Sequence, residues 1–132
     1  MSKKVRALLI VTGAVIFFSW GFRLYVLFLR WESDPFRLPH ALVALISFSI
    51  GGFLLWMAFQ GKKAGPREYT ILIVAALFTI VWWGYRAANV LLHPELDPNP
   101  TAHLHLSTLF LVLGALLLIT GWQGRNKSAT PS

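Results

Sequence analysis

Four apolar stretches separated by short polar connections organise this chain of 132 residues. They run from about Ala7 to Leu29, Pro39 to Phe59, Tyr69 to Leu92 and Ala102 to Trp122. Each is close to the roughly 20 residues that an α-helix needs to cross about 30 Å of hydrocarbon. The pattern predicts an all-α protein, an integral membrane four-helix bundle surrounded by the lipid bilayer.

The same pattern is written twice. A gapless shift of 63 positions lays Trp20, Gly21, Arg23, Glu32, Asp34 and Pro35 on Trp83, Gly84, Arg86, Glu95, Asp97 and Pro98. It also lays His40, Gly51, Gln60 and Gly61 on His103, Gly114, Gln123 and Gly124. Matches among Leu and Val would mean little in so apolar a chain, but these are its scarcer residues, and self-similarity of this kind fixes architecture. The expected fold is two tandem copies of a transmembrane helix hairpin, about 7–61 and about 70–124. They form a single transmembrane domain over 1–132 with a short polar tail, 125–132. Because each copy holds two spans, both insert in the same direction and their pseudo-two-fold axis runs along the membrane normal. Gly61, Gly65 and Pro66 supply a helix-stopping turn between the copies.

Composition agrees: 56% of residues are hydrophobic and 13% charged, outside the usual range of water-soluble domains. The absence of cysteine excludes disulfides, thiolate metal sites, iron–sulfur clusters and thiol redox chemistry. The first stretch, basic and then apolar, has two features of a secretory signal. No small-residue cleavage site follows it, and its counterpart Thr70 to Val81 is internal, so this segment is expected to be retained.

The net charge of +7 is read through its distribution. Lys3, Lys4, Arg6, Lys62, Lys63, Arg67, Arg125 and Lys127 lie at the chain ends or between the second and third spans, with only Glu68 against them. The other face, around loops 30–38 and 93–101, sets Arg23, Arg30, Arg37 and Arg86 against Glu32, Asp34, Glu95 and Asp97. By the positive-inside rule the first face is cytoplasmic. Both termini are therefore expected inside, in the cell inner (plasma) membrane, and the charge is a topology signal, with no nucleic-acid partner.

The outer face also holds every histidine and the remaining candidates for chemistry. Arg23 and Arg86 lie about two turns inside apolar spans, where an arginine costs roughly 2.5 to 3.5 kcal/mol at the centre. Snorkelling or ion pairs to the loop acids would account for them. A functional reading has both guanidiniums holding an anionic group, for which Arg offers a bidentate fork. Arg86, Asn89 and His93 share one helix face by their i, i+3, i+7 spacing, and the neighbouring Trp20 and Trp83 could brace the arginines through cation–π contacts. His40 and His103 are a second related pair. They suit bis-imidazole haem b in a four-helix bundle, with Arg23, Arg86 and Asn89 lining the cofactor. Together with His105, Glu32 and Glu95 they also suit a transition-metal site. Quinone or small-substrate binding is a further reading, and the plain alternative is interfacial hydrogen bonding. His103 and His105 are about 200° apart around a helix, which argues against a simple H-x-H chelate.

Other motifs read as structure. Asp34-Pro35 and Asp97-Pro98 resemble an N-cap followed by the favoured first helical residue, so each loop is expected to contain a helical turn. Thr101 suits the cap of the fourth helix and Pro39 the first turn of the second. Gln60-Gly61 and Gln123-Gly124 suit helix C-termini. Gly51-Gly52 and Gly114-Ala115 are small-residue positions where the second and fourth helices pack, within the chain or against another subunit.

No phosphate-binding loop, H-E-x-x-H, nucleophile elbow or mid-membrane carboxylate occurs. The expected function is a small accessory or anchoring subunit of a larger membrane complex, in electron transfer, with other membrane subunits or self-association as partners and no catalysis of its own. The alternatives are a self-contained haem b or metal-binding module between the repeats, and a small permease or lipid-binding protein using the paired arginines.

Overall fold

The computed structural model describes residues 3–33, 35–60 and 65–129, with side chains described to residue 127. Among these residues the chain is entirely helical: α1 (Lys3–Leu29), α2 (Arg37–Phe59), α3 (Pro66–Leu92) and α4 (Pro100–Ala129), with 3-10 turns at Trp31–Ser33 and Pro94–Leu96. All four helices are long and apolar enough to cross a membrane. They form two compact units, each an antiparallel helix hairpin, α1 with α2 and α3 with α4.

Each hairpin is held along one narrow seam. In α2 the buried positions Ala44, Ser47, Gly51, Leu54 and Ala58 advance in alternating steps of three and four. Tyr69, Leu72, Ala76, Thr79 and Trp83 do the same in α3, and Ser107, Phe110, Gly114, Leu117 and Gly121 in α4. A mean spacing of 3.5 keeps a seam facing its partner through a left-handed packing, the arrangement shared by coiled coils and many membrane bundles. The α1 seam, Leu9, Thr12, Gly13, Ile16 and Trp20, recurs 63 residues later as Leu72, Ala75, Ala76, Thr79 and Trp83, all buried. The contacts recur as well: Gly51 lies against Phe17, and Gly114 against Ile80.

The expected close approach of small residues is therefore found inside each hairpin, α2 on α1 and α4 on α3. Several hydroxyls within the spans bond the carbonyl one turn back, among them Ser49 to Leu45 (2.8 Å) and Thr79 to Ala75 (2.9 Å). Helical backbone is thus the partner of these hydroxyls, whereas Thr12 Oγ1 and Ser107 Oγ are buried without one.

Helix ends follow local chemistry. Pro66 opens α3 at its first position, and Glu68 accepts the Gly65 N–H at 3.0 Å, half of a capping box. Pro39 lies in the first turn of α2, as expected. His93 leaves helical geometry (φ −134°, ψ 59°) before Pro94, which disfavours helix in the residue preceding it.

Three expectations shift. Helical turns do occur in the loops, but they precede Pro35 and Asp97 instead of starting at an aspartate cap; Asp34 lies outside the described residues. The cap of α4 is Asn99, whose Oδ1 accepts the Ala102 N–H at 3.2 Å, with Pro100 leading the helix, so Thr101 is already inside it. Finally, Gln60 ends α2 as expected, whereas α4 runs through Gln123-Gly124 to Ala129. No described glycine has positive φ. Gly124 instead makes room for the Tyr69 ring of α3, a packing role that the sequence motif for a helix stop imitates. Gly61 lies outside the described residues.

Candidate functional site

The richest polar cluster lies at the loop end of the second hairpin. On α3, Arg86, Asn89 and His93 share a face, as their spacing predicts, and with Val90, Leu96 and Asp97 they line a pocket of about 320 Å³. Arg86 is half-buried and makes no hydrogen bond or ion pair among the described residues. One turn deeper, Trp82 Nε1 is buried without an acceptor. Asn89 is exposed, and His93 sits at the helix end, its Nδ1 3.6 Å from Glu95 Oε1.

Asp97 closes the pocket, held by interactions on either side. Its Oδ1 accepts the Asn99 N–H at 2.8 Å, an Asx turn. The His103 Nδ1–H donates to both carboxylate oxygens, at 2.7 and 2.6 Å. The two side chains are only 13% and 27% exposed, so this contact is screened far less than a surface ion pair. The hydrogen bond from His103 is the main cause holding the Asp97 carboxyl below the usual carboxylate range, against a desolvation that raises it; the Asn99 N–H and the charges of His103 and Arg86 add to the lowering. Donation from Nδ1 fixes the orientation of the imidazole and leaves Nε2 as its remaining polar atom.

A test of this contact is an NMR titration of the Asp97 carboxyl, for which a midpoint below the ordinary value of about 3.9 is expected. Because the folded value is the lower one, the stability it contributes is fully present above about pH 3.9 and is lost as pH falls through the folded midpoint. His103→Ala should return the midpoint toward the ordinary value; an unchanged midpoint would remove His103 as its cause.

The first hairpin resolves the same positions differently. Arg23 is half-buried, with its guanidinium 4.9 Å from the Trp20 ring centroid, the cation–π brace anticipated for this pair. Trp83, the equivalent of Trp20, instead lies parallel to Phe110 at 4.6 Å. Glu32 is 4.0 Å from Arg37, whose Nη1 donates to the Trp31 carbonyl at 3.5 Å and whose guanidinium lies 5.5 Å from the Trp31 ring. With Glu32 94% exposed, that ion pair contributes little. Glu32, Ser33 and Arg37 also border a cleft of about 600 Å³ that contains no histidine. His40 is exposed on the first turn of α2, its ring 6.3 Å from that of Phe36. His105 is exposed on α4 and Glu95 in the second loop. Among the described residues, no three His, Asp or Glu side chains gather closely enough to hold a metal ion.

Fold and site together define an all-helical protein with four membrane-length apolar helices and a polar pocket at one end of its second hairpin. Compared with known proteins, the chain matches no family model, no curated protein and no solved structure.

Two residues that matter here were assigned elsewhere by sequence. Asp97 read as a cap, yet Asp97-Pro98-Asn99-Pro100 contains two successive cap-proline pairs and only one can begin α4. Since the second does, the aspartate is free to meet a histidine six residues on. At the 63-residue offset Arg37 falls on Pro100, so the matched positions gave it no weight.

Proposed function

We propose that this protein is an integral membrane accessory or anchoring subunit of a larger membrane complex, with electron transfer as its setting. The observation that carries the reading is the narrowness of the seam. Only between 28% and 33% of the residues in each span's most apolar window are buried. The outer face of α1 alone leaves Phe18, Phe22, Tyr25 and Phe28 between 61% and 72% exposed. Aromatic surface of this extent fits lipid and neighbouring transmembrane helices, and an anchoring role requires little else. The two hairpins are read as tandem copies of one unit, supported by buried positions and contacts that recur at an offset of 63 residues. The basic residues at the chain ends and between α2 and α3 favour both termini on the cytoplasmic side of the plasma membrane.

Extraction from the native membrane in mild detergent, followed by identification of co-purifying chains, tests the assignment. A defined assembly with other membrane proteins is expected, and a visible spectrum of that assembly should report a redox cofactor. Recovery of the protein only as a monodisperse, partner-free species would overturn the subunit reading.

A further inference from the structure

We propose that the pocket at the end of the second hairpin binds a zwitterionic phosphate ester, the chemistry of an ethanolamine phospholipid headgroup or of free phosphoethanolamine. The inference rests on the membrane placement given above but not on assembly with other chains.

Arg86 is the charged group of this pocket that lies on α3. A guanidinium has five N–H donors in a planar fork, no means of losing its charge, and a geometry matched to phosphate. Here it is half-buried and lines a pocket of about 320 Å³, where its charge reaches the Asp97 carboxylate but no hydrogen bond to it is formed. Arginine so placed in an apolar span calls for an anion. Asn89, one turn toward the loop on the same face, adds a neutral donor.

The carboxylate of Asp97, on the same pocket wall, would oppose a simple anion. It suits a zwitterion. Arg86 belongs to the apolar span of α3, whereas Asp97 belongs to the loop beyond its end, and both line the pocket. A positive charge on the span and a negative charge on the loop match a headgroup whose phosphate sits nearer the hydrocarbon than its terminal ammonium. The contact with His103 holds the carboxylate in place. Val90 and Leu96 supply apolar wall. Among the described residues the first hairpin differs: Arg23 is over Trp20, and Val26 and Arg30 occupy the places of Asn89 and His93.

The experiment is native mass spectrometry of protein extracted from membranes, stripped of lipid and then offered dioleoyl phosphatidylethanolamine, dioleoyl phosphatidylglycerol, phosphoethanolamine or inorganic phosphate. Wild-type protein is expected to retain about one phosphatidylethanolamine per chain in preference to phosphatidylglycerol. Arg86→Gln should weaken retention by about 10- to 100-fold, the range associated with a charge-assisted hydrogen bond, while Arg23→Gln should leave it intact. Asp97→Asn should erase the preference between the two lipids. Circular dichroism of each variant checks that the helices persist.

Binding of phosphoethanolamine without the phospholipid would support the site and assign it to a soluble ester. Equal retention by wild type and Arg86→Gln, or binding of inorganic phosphate or phosphatidylglycerol as strong as that of the zwitterions, overturns the proposal. Failure of the protein to partition into membranes at all would instead strike the membrane placement on which it rests.

Discussion

Gly51→Ala should destabilise the first hairpin by about 1 to 3 kcal/mol or more, the effect of forcing an extra group into a packed contact. A Cβ at this position would lie 2.5 Å from the Phe17 nitrogen and 2.7 Å from its Cα. These are backbone atoms of α1, so no rotamer change relieves the overlap and the helices must separate. In the proposed membrane placement separation would be expensive, because association in lipid rests on van der Waals packing without a hydrophobic driving force. Gly52→Ala is the matched control, since its Cβ would meet nothing nearer than the Phe17 ring at 3.7 Å. Its stability should be unchanged or slightly raised, because alanine is the better helix former by about 1 kcal/mol. Denaturation of both variants in mixed micelles makes the comparison. Equal midpoints would mean that the Gly51 contact does not hold α1 and α2 together.

In the second hairpin the largest loss is expected at Trp83. This side chain is 3% exposed and stacked on Phe110 with the rings 5° from parallel. Trp83→Ala should lower stability by about 3 kcal/mol, near the low end of aromatic truncations in water-soluble cores. Truncation here forfeits dispersion and leaves a cavity, and in the proposed membrane placement little transfer energy from water would add to it. Trp83→Phe should recover part of the loss by keeping an aromatic face on Phe110. Trp20→Ala acts through different contacts, because Ser47 occupies the place of Phe110 and Trp20 lies beneath the Arg23 guanidinium. Its main signature should be a changed environment for Arg23. If Trp83→Ala were as stable as wild type, the stacked pair would be incidental to the hairpin.

What sequence made legible was whatever depends on periodicity and on scarce residues. The helices begin and end within a few residues of the apolar stretches, apart from the far end of α4, because hydrocarbon-length apolarity and Pro39, Pro66 and Pro94 leave little choice. The shared face of Arg86, Asn89 and His93 follows from helical spacing alone. The contacts of Asp97 were not legible. Cap, turn and hydrogen-bond acceptor are all available to an aspartate before proline, and the choice among them is made by Asn99 and by the position of His103 a turn into α4. Gly124 failed for a related reason. Glycine serves equally as a helix stop or as space for a neighbouring ring, and only the presence of Tyr69 across the hairpin decides.

The length of α4 has a mechanical meaning. Two turns of helix continue beyond Trp122, with Arg125 in the first of them and Lys127 near the end, where cations also complement the helix dipole. At about 1.5 Å per residue these charges stand roughly 5 to 7 Å past the indole. In the proposed placement the indole would rest among the headgroups and the cations among the cytoplasmic phosphates, while the Asn99 cap and the Asp97–His103 clasp tie down the opposite end. Such a helix resists sliding along its own axis. The seam with α3 would pass that constraint to Arg86, so the depth of the pocket below the membrane surface would be set by residues at the far end of the neighbouring helix.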